Sequence, residues 1–296
     1  MGLEAAAPGR AQDPGEAAGP RGRGWSTAAL VRDTFREAFA RKVFWGFFGC
    51  STALIVFVLF ILRIDIVEGG LAAMSLFGKT REAMDAQRLV GQAHAAIAAF
   101  LYSAGMFLAV FASAGLIPAV FEPGRIELLL SKPLARHRIL LGRYLGNLLV
   151  VAVNLFYLVG TIWIIFGWKT GVWTAGFLLA AVVTLFTFAV LLALIVLVSA
   201  LCESAAVATM ATFGVMLLSP VLAQRRIIER LLDSEWSRDT VRVLYAAFPK
   251  IFELGGMVRE LALGRGVESW APVWSSALFG AAALAAGLAV FSRRDY

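Results

Sequence analysis

Six long runs without a charged side chain divide this sequence, and they constrain its fold more than any other feature. Each run holds about 20 residues or more and is bounded by Lys, Arg or Glu. A helix of about 20 apolar residues is long enough to cross the roughly 30 Å hydrocarbon core of a bilayer. We therefore predict an all-α polytopic membrane protein with six transmembrane helices, near residues 43–62, 95–118, 144–167, 175–201, 205–222 and 271–291.

The composition agrees with a membrane protein. Hydrophobic residues make up 60% of the 296 positions and charged residues only 16%, whereas a soluble domain carries about 25% charged residues. The net charge of +7 does not indicate nucleic acid, because the basic residues lie in loops next to the spans. Anionic lipid is the partner that such a distribution favours.

The polar segment before the first span divides into two parts. Residues 1–25 are rich in Ala, Gly, Pro and Arg, a composition that predicts a disordered tail. Residues 26–42 place Val31, Phe35 and Phe39 on one helical face, which is typical of an interfacial helix lying in the headgroup layer. An ordinary cytoplasmic helix that leads into the span is the alternative. The membrane domain is then 26–296.

Loop charge sets the predicted orientation. The compact loop 121–143 holds five basic residues, and short basic loops stay cytoplasmic. With six spans, this places both termini in the cytoplasm, so the segment 223–270 lies outside. That segment is too long for a structureless loop, and we expect amphipathic helices broken at Pro249 and Gly255-Gly256 that form a small outer cap.

No catalytic, cofactor or metal site is predicted in this chain. Gly78-Lys79-Thr80 resembles the end of a phosphate-binding loop, but the Gly five residues earlier is absent and no apolar strand precedes it. His94 and His137 are the two histidines, too few for a histidine metal site. No nucleophile–base constellation and no charge at mid-span are present, which argues against a hydrolase and an ion-coupled carrier.

The loop between the second and third spans contains an amphipathic helix, GRIELLLSKP, over about residues 124–133. Pro123-Gly124 ends the preceding span and Pro133 ends the short helix. Ile126, Leu129 and Leu130 form one apolar face with a charged rim. Two interpretations remain open: a surface helix that only connects spans, or a helix that docks into a cytoplasmic partner, since an apolar centre with a polar edge is typical of compact interfaces.

The same stretch resembles the signature of ABC-2 type transporter permeases, the membrane subunits of ABC exporters. The matching positions are Glu122, Gly124, Ile126, Glu127, Leu129, Leu130, Ser131, Pro133 and Arg136, followed by Leu141 and Gly142. Arg125 stands where the family has Thr, and Arg143 where it has Lys. The segment Leu244–Gly256 is faintly similar to permeases linked to multicopper-enzyme maturation, which does not make copper the cargo.

The resemblance implies that the loop is a coupling helix seated in a separate ATPase subunit. That subunit would bind ATP and Mg, and this chain would pair with a second permease, identical or not, in the plasma (inner) membrane. ATP hydrolysis would then drive alternating access of an exporter, and the chain itself would not be an enzyme. The implied docking knob is Ile126, Leu129 and Leu130, and the implied rim contacts are Arg125, Glu127, Lys132 and Arg136. Glu122, Gly124 and Pro133 complete the implied coupling residues.

Two other functions remain possible on the sequence alone. A membrane scaffold or receptor would use the same loop to bind another cytoplasmic protein without transport. A secondary carrier would need an ionisable group at mid-membrane, which the spans lack. The sequence does not identify a transported substrate.

Overall fold

The computed structural model describes residues 42–61, 64–67, 71–76, 79–80, 84–114, 136–231 and 234–293. The predicted tail at 1–25, the interfacial helix at 26–42 except its last residue, and the coupling helix at 124–133 lie outside these residues. The first described helix is α1 (Lys42–Ile61). Four short strands follow: β1 (Ile64–Val67), β2 (Leu71–Leu76), β3 (Lys79–Thr80) and β4 (Met84–Asp85).

The rest of the described chain is helical. Helix α2 (Ala86–Phe100) continues through a π turn (Leu101–Gly105) into α3 (Met106–Ala114). The helices after it are α4 (Arg136–Thr170), α5 (Ala175–Cys202), α6 (Ala205–Ala223), α7 (Arg225–Leu231), α8 (Glu235–Ala247), α9 (Ile251–Ala262) and α10 (Ala271–Arg293).

The helices confirm the predicted all-α polytopic class. Among the described residues, five helices are long and apolar enough to cross a membrane: Gln87–Ser113, His137–Thr170, Ala175–Cys202, Ala205–Ala223 and Ala271–Arg293. The first predicted span is also helical, with a shorter apolar portion, Phe44–Leu59. Helices α2 and α4 begin before the predicted second and third spans. A helix can continue past the hydrocarbon on residues that are not strongly apolar.

Helix α5 lies at the centre of the bundle and contacts α4, α6, α9 and α10. Its side chains are buried on most sides, which explains why its sequence is apolar all round. Helix α10 approaches α5 closely through glycine. A Cβ atom at Gly287 would lie 3.1 Å from the Cα atom of Leu197, and one at Gly280 would lie 3.2 Å from a methyl group of Val190. The small residues of the last span therefore serve close helix packing.

The ends of the bundle can be defined by two tight connections. We call the side where α4 meets α5, at residues 170–175, the α4–α5 end. The opposite side, where α5 meets α6 at residues 202–205, is the α5–α6 end. Glu203 there has a positive φ of 54° and follows the last helical residue of α5. Ser204 caps α6 by accepting a hydrogen bond from the amide of Val207.

Helix α9 packs between spans instead of lying in a cap apart from them. Leu254 and Val258 are fully buried, and α9 contacts both α2 and α5. The break predicted at Pro249 is confirmed, since α8 ends at Ala247 and α9 begins at Ile251. The break predicted at Gly255-Gly256 is wrong, because both residues lie inside α9. Gly255 gives room to the ring of Tyr102, which a Cβ atom would approach to 2.8 Å.

This contact predicts opposite effects for two neighbouring substitutions in α9. Gly255→Ala should destabilise the fold by about 1–3 kcal/mol, because the Tyr102 ring must shift. Gly256→Ala has open space within 4 Å and should stabilise it by about 0.5–1 kcal/mol through helix propensity. Thermal unfolding of the two purified variants in one detergent compares them directly. Equal shifts of the same sign would contradict the packing of α9 against Tyr102.

The β-strands between α1 and α2 were not predicted. Strand β2 pairs antiparallel with β1, β3 and β4. The expectation that no apolar strand precedes Gly78-Lys79-Thr80 is wrong, since β2 (Leu71–Leu76) does so. A phosphate-binding loop must nevertheless open a helix, whereas Lys79 and Thr80 form a strand paired with Leu76 and Ser75.

Candidate functional site

The predicted docking residues fall almost entirely outside the part of the chain that the structure describes. Residues 122–133 lie outside the described part, so their mutual arrangement stays a prediction. Arg136 begins α4. His137 and Arg138 are exposed, and the next two residues, Ile139 and Leu140, are buried. Helix α4 therefore changes from exposed to buried side chains within its first turn.

Both helices that flank the docking segment are held firmly at the α5–α6 end. Ile139 and Leu140 of α4 belong to one buried cluster with Ala200 of α5 and Phe291 of α10. Helix α3 joins α4 through a hydrogen bond that the Ser113 hydroxyl donates to Oδ1 of Asn147, over 3.2 Å. A displacement of the segment would consequently act on two helices that are bonded to each other.

A cavity of about 130 Å³ lies inside the helix bundle, lined by α1, the π turn, α3, α4 and α5. Most of its wall is apolar and includes Phe44, Phe47 and Phe188. No charged side chain in the described ranges lines it. The polar side chains that the described part of the protein contributes to the lining are five and uncharged: Ser51, Ser113, Asn147, Asn154 and Thr184. A cavity of this chemistry accepts an uncharged group and disfavours an ion.

Two asparagines in the cavity wall carry unpaired polar atoms. Asn147 is 2% exposed and Asn154 is 7% exposed. Nδ2 of Asn147 and Oδ1 of Asn154 are buried and have no hydrogen-bond partner among the described residues. The other end of each amide is occupied: Ser113 donates to Oδ1 of Asn147, and Nδ2 of Asn154 donates to the carbonyl of Val150 at 3.1 Å.

These unpaired atoms are unusual, because the great majority of buried polar groups in folded proteins are paired. Leaving one unpaired costs about 1–3 kcal/mol. Thr184 in the same wall shows the ordinary arrangement, with its hydroxyl donating to the carbonyl of Ala180 at 2.8 Å. The two asparagines thus retain hydrogen-bonding capacity that the described protein does not use.

The π turn connects this cavity with α9. Leu101, Gly105 and Met106 line the cavity, while Tyr102 in the same turn donates a hydrogen bond of 2.5 Å to the carbonyl of Ile251 at the start of α9. A π turn inserts an extra residue into a helix and is frequent at functional sites. Here it directs adjacent side chains to two different neighbours.

His94 is buried in an aromatic environment at the α4–α5 end. Its ring stacks on Phe177 with centroids 4.2 Å apart and meets the edge of Phe166 at 4.9 Å. Nδ1 pairs with the hydroxyl of Thr174 at 2.9 Å. These contacts make His94 part of the packing at this end. Among the described residues no group of three or more His, Cys, Asp or Glu could hold a metal ion.

A second cluster joins α6, α7, α8 and α9 near residue 224. The Tyr245 ring lies between Arg225, 3.9 Å from its centroid, and Lys250, at 4.5 Å. The Tyr245 hydroxyl donates to the carboxylate of Glu253. These contacts hold α9 at its start.

The asparagines of the cavity were missed in the sequence. Both lie in the predicted span 144–167, which contains no charged residue. Their signal is the spacing i, i+7, which places two amides on one face of an apolar helix. Polar residues in spans often mark functional positions or interhelical bonds, and this spacing can be searched for directly.

Comparison with known proteins supports the family that the loop sequence suggested. Residues 28–296 match the family described as ABC-2 family transporter protein. A comparison with curated proteins gave no match. The match covers the whole helix bundle, including the segment between α3 and α4 and the helices that form the cavity. The chain therefore belongs to the ABC-2 family of transporter proteins and is a multi-pass membrane subunit of the kind that works with a cytoplasmic ABC ATPase.

Proposed function

We propose that this chain is the transmembrane subunit of an ATP-driven exporter and that a separate ABC ATPase docks on residues 124–133. The family supports the general role of a membrane subunit. The apolar knob of Ile126, Leu129 and Leu130 would enter the ATPase, and the charged rim would set the register. ATP and Mg would be bound by the ATPase.

One observation carries the coupling part of this proposal. The docking segment is the direct connection between α3 and α4, and both helices line the central cavity. The Ser113–Asn147 hydrogen bond ties them together at the cavity wall. A movement of the segment that is transmitted to α3 and α4 would therefore change the cavity, which suits alternating access.

The proposed orientation places the α5–α6 end in the cytoplasm of the cell, at the plasma (inner) membrane. The residues that begin α4 support it, since Arg136, Arg138 and Arg143 lie near this end. Both termini would be cytoplasmic, and the α4–α5 end would be outside. A second permease copy would complete the transport pathway, as a homodimer or a heterodimer.

The test is purification of the tagged full-length chain from its native membrane. We expect an ABC ATPase, identified by its peptide masses, to co-purify and to hydrolyse ATP when both subunits are reconstituted into proteoliposomes. Hydrolysis should depend on Mg and should change when the permease is omitted. If the protein that co-purifies neither binds nor hydrolyses ATP, the chain would instead be identified as a scaffold or receptor.

A further inference from the structure

We propose that the cavity between α1, the π turn, α3, α4 and α5 is a binding site for one elongated, uncharged, largely apolar molecule with two hydrogen-bonding groups. One group is an acceptor that faces Nδ2 of Asn147, and the other is a donor that faces Oδ1 of Asn154. Binding itself needs no ATPase. Only the identification of the bound molecule as cargo rests on the proposed function.

The lining determines the charge of the ligand. Phe44, Phe47 and Phe188 contribute aromatic surface, and none of the lining residues that the structure describes is ionisable. An ion moved into such a wall would lose its hydration without gaining a counter-charge, which costs far more than burial of a neutral polar group. The site therefore selects against carboxylates, phosphates and ammonium groups.

The two amides determine where the polar groups of the ligand lie. Each amide is oriented by a bond at its other end: from the Ser113 hydroxyl at Asn147, and to the Val150 carbonyl at Asn154. The asparagines are seven residues apart on α4, which corresponds to about 10 Å along a helix axis. A molecule with one compact polar head would satisfy a single asparagine, whereas an elongated molecule with separated amide or hydroxyl groups satisfies both.

Water alone is a poorer occupant of this cavity. The volume of about 130 Å³ has room for several water molecules, but a buried water makes about three hydrogen bonds to polar partners. The wall leaves two side-chain atoms unpaired, about two helical turns apart, and Thr184 is already paired with the Ala180 carbonyl. A ligand with an apolar chain between two polar groups matches this wall better than water does.

The experiment uses photolabelling of the full-length protein in nanodiscs. The probe is 8-hydroxyoctanamide that carries a diazirine in the middle of its chain. We expect saturable labelling of peptides from α3 and α4, with competition by unlabelled 8-hydroxyoctanamide. Octanedioate, of similar length but charged at both ends, and octane, without hydrogen-bonding groups, should compete at least about tenfold more weakly.

Variants separate the asparagines from general hydrophobicity. Asn147→Leu and Asn154→Leu keep the side-chain size. Each should raise the probe concentration that gives half-maximal labelling about tenfold. Val153→Leu is the control, because Val153 lies on the same helix, is 41% exposed and does not line the cavity. It should leave labelling unchanged. Thermal unfolding of each variant confirms that the bundle is folded.

Three results would overturn the proposal. Labelling that does not saturate would show that the probe partitions into lipid or that the cavity holds water only. Equal competition by octane would show that the amides take no part, and equal competition by octanedioate would show that charge is accepted. Failure of this binding test leaves ATPase association intact, whereas failure of the co-purification test leaves the binding result intact, so the two proposals are tested separately.

Discussion

Replacing Leu129 and Leu130 together with aspartate is expected to abolish association with the ATPase while the helix bundle stays folded. In the proposed complex these side chains form the buried centre of the docking knob, and a carboxylate buried there without a partner is strongly unfavourable. We expect affinity to fall by about 100-fold or more, equivalent to about 3 kcal/mol. Co-purification of the tagged variant with the ATPase measures the loss, and the ATP hydrolysis that depends on the complex should disappear with it.

A matched control uses the same change of chemistry at another exposed apolar surface. Ile227 lies in α7 and is 56% exposed, and Val243 lies in α8 and is 66% exposed. Both helices follow α6 in the chain. Ile227→Asp with Val243→Asp adds two carboxylates without touching the docking knob, so association should persist. If the Leu129/Leu130 variant kept its ATPase at normal stoichiometry, the docking role of this segment would be refuted.

The substitution Gly176→Ala is expected to destabilise the protein by about 3 kcal/mol, the upper part of the range for overpacking. A Cβ atom at this position in the first turn of α5 would lie 2.2 Å from the carbonyl oxygen of Leu261. That oxygen belongs to the end of α9 and accepts a hydrogen bond from the amide of Gly264, which has a positive φ of 74°. Because the obstacle is backbone in a defined helix end, it cannot rotate away as a side chain could.

The effect is measured as the midpoint of thermal unfolding, together with protease access to the α8–α9 connection. Gly160→Ala is the control, since this position in α4 has nothing within 4 Å of the added Cβ. We expect a lower midpoint and faster cleavage only for Gly176→Ala. Identical midpoints for both variants would mean that α9 does not pack against the start of α5 as described.

The spans were predictable because the membrane imposes a simple rule. A backbone in hydrocarbon must satisfy its own hydrogen bonds, so a charge-free run of about 20 residues can hardly be anything but a helix. The predicted limits of the fourth span, 175–201, agree with α5 at Ala175–Cys202 to one residue. The limits of the second span agree less well, because α2 begins at Ala86, before the charge-free run.

The segment after α6 shows where local signals fail. Proline lacks an amide hydrogen and therefore disfavours continuation of a helix. The break predicted at Pro249 was correct, because Pro249 lies between α8 and α9. Glycine carries no such obligation. Gly255 lies within α9, where it is required by the ring of Tyr102, a residue 153 positions earlier in the chain. No local pattern contains that information.

The candidate site divides in the same way. The docking segment could be proposed from contiguous residues, since its apolar face, rim and bounding prolines lie within a short stretch. The cavity could not, because its wall combines residues from four separate spans. Asn147 and Asn154 were visible as polar residues in a span, but whether they were paired depended on the position of Ser113 and of the other walls.

By itself, the sequence determined the membrane class, the helical spans, the family and the segment proposed to meet the ATPase, because each of these depends on residues close together in the chain. The tertiary structure alone decided that α9 packs between α2 and α5 and that two asparagines face a cavity with unpaired atoms. The physical reason is that packing and hydrogen-bond satisfaction are properties of neighbours in space, and in this bundle those neighbours come from distant spans.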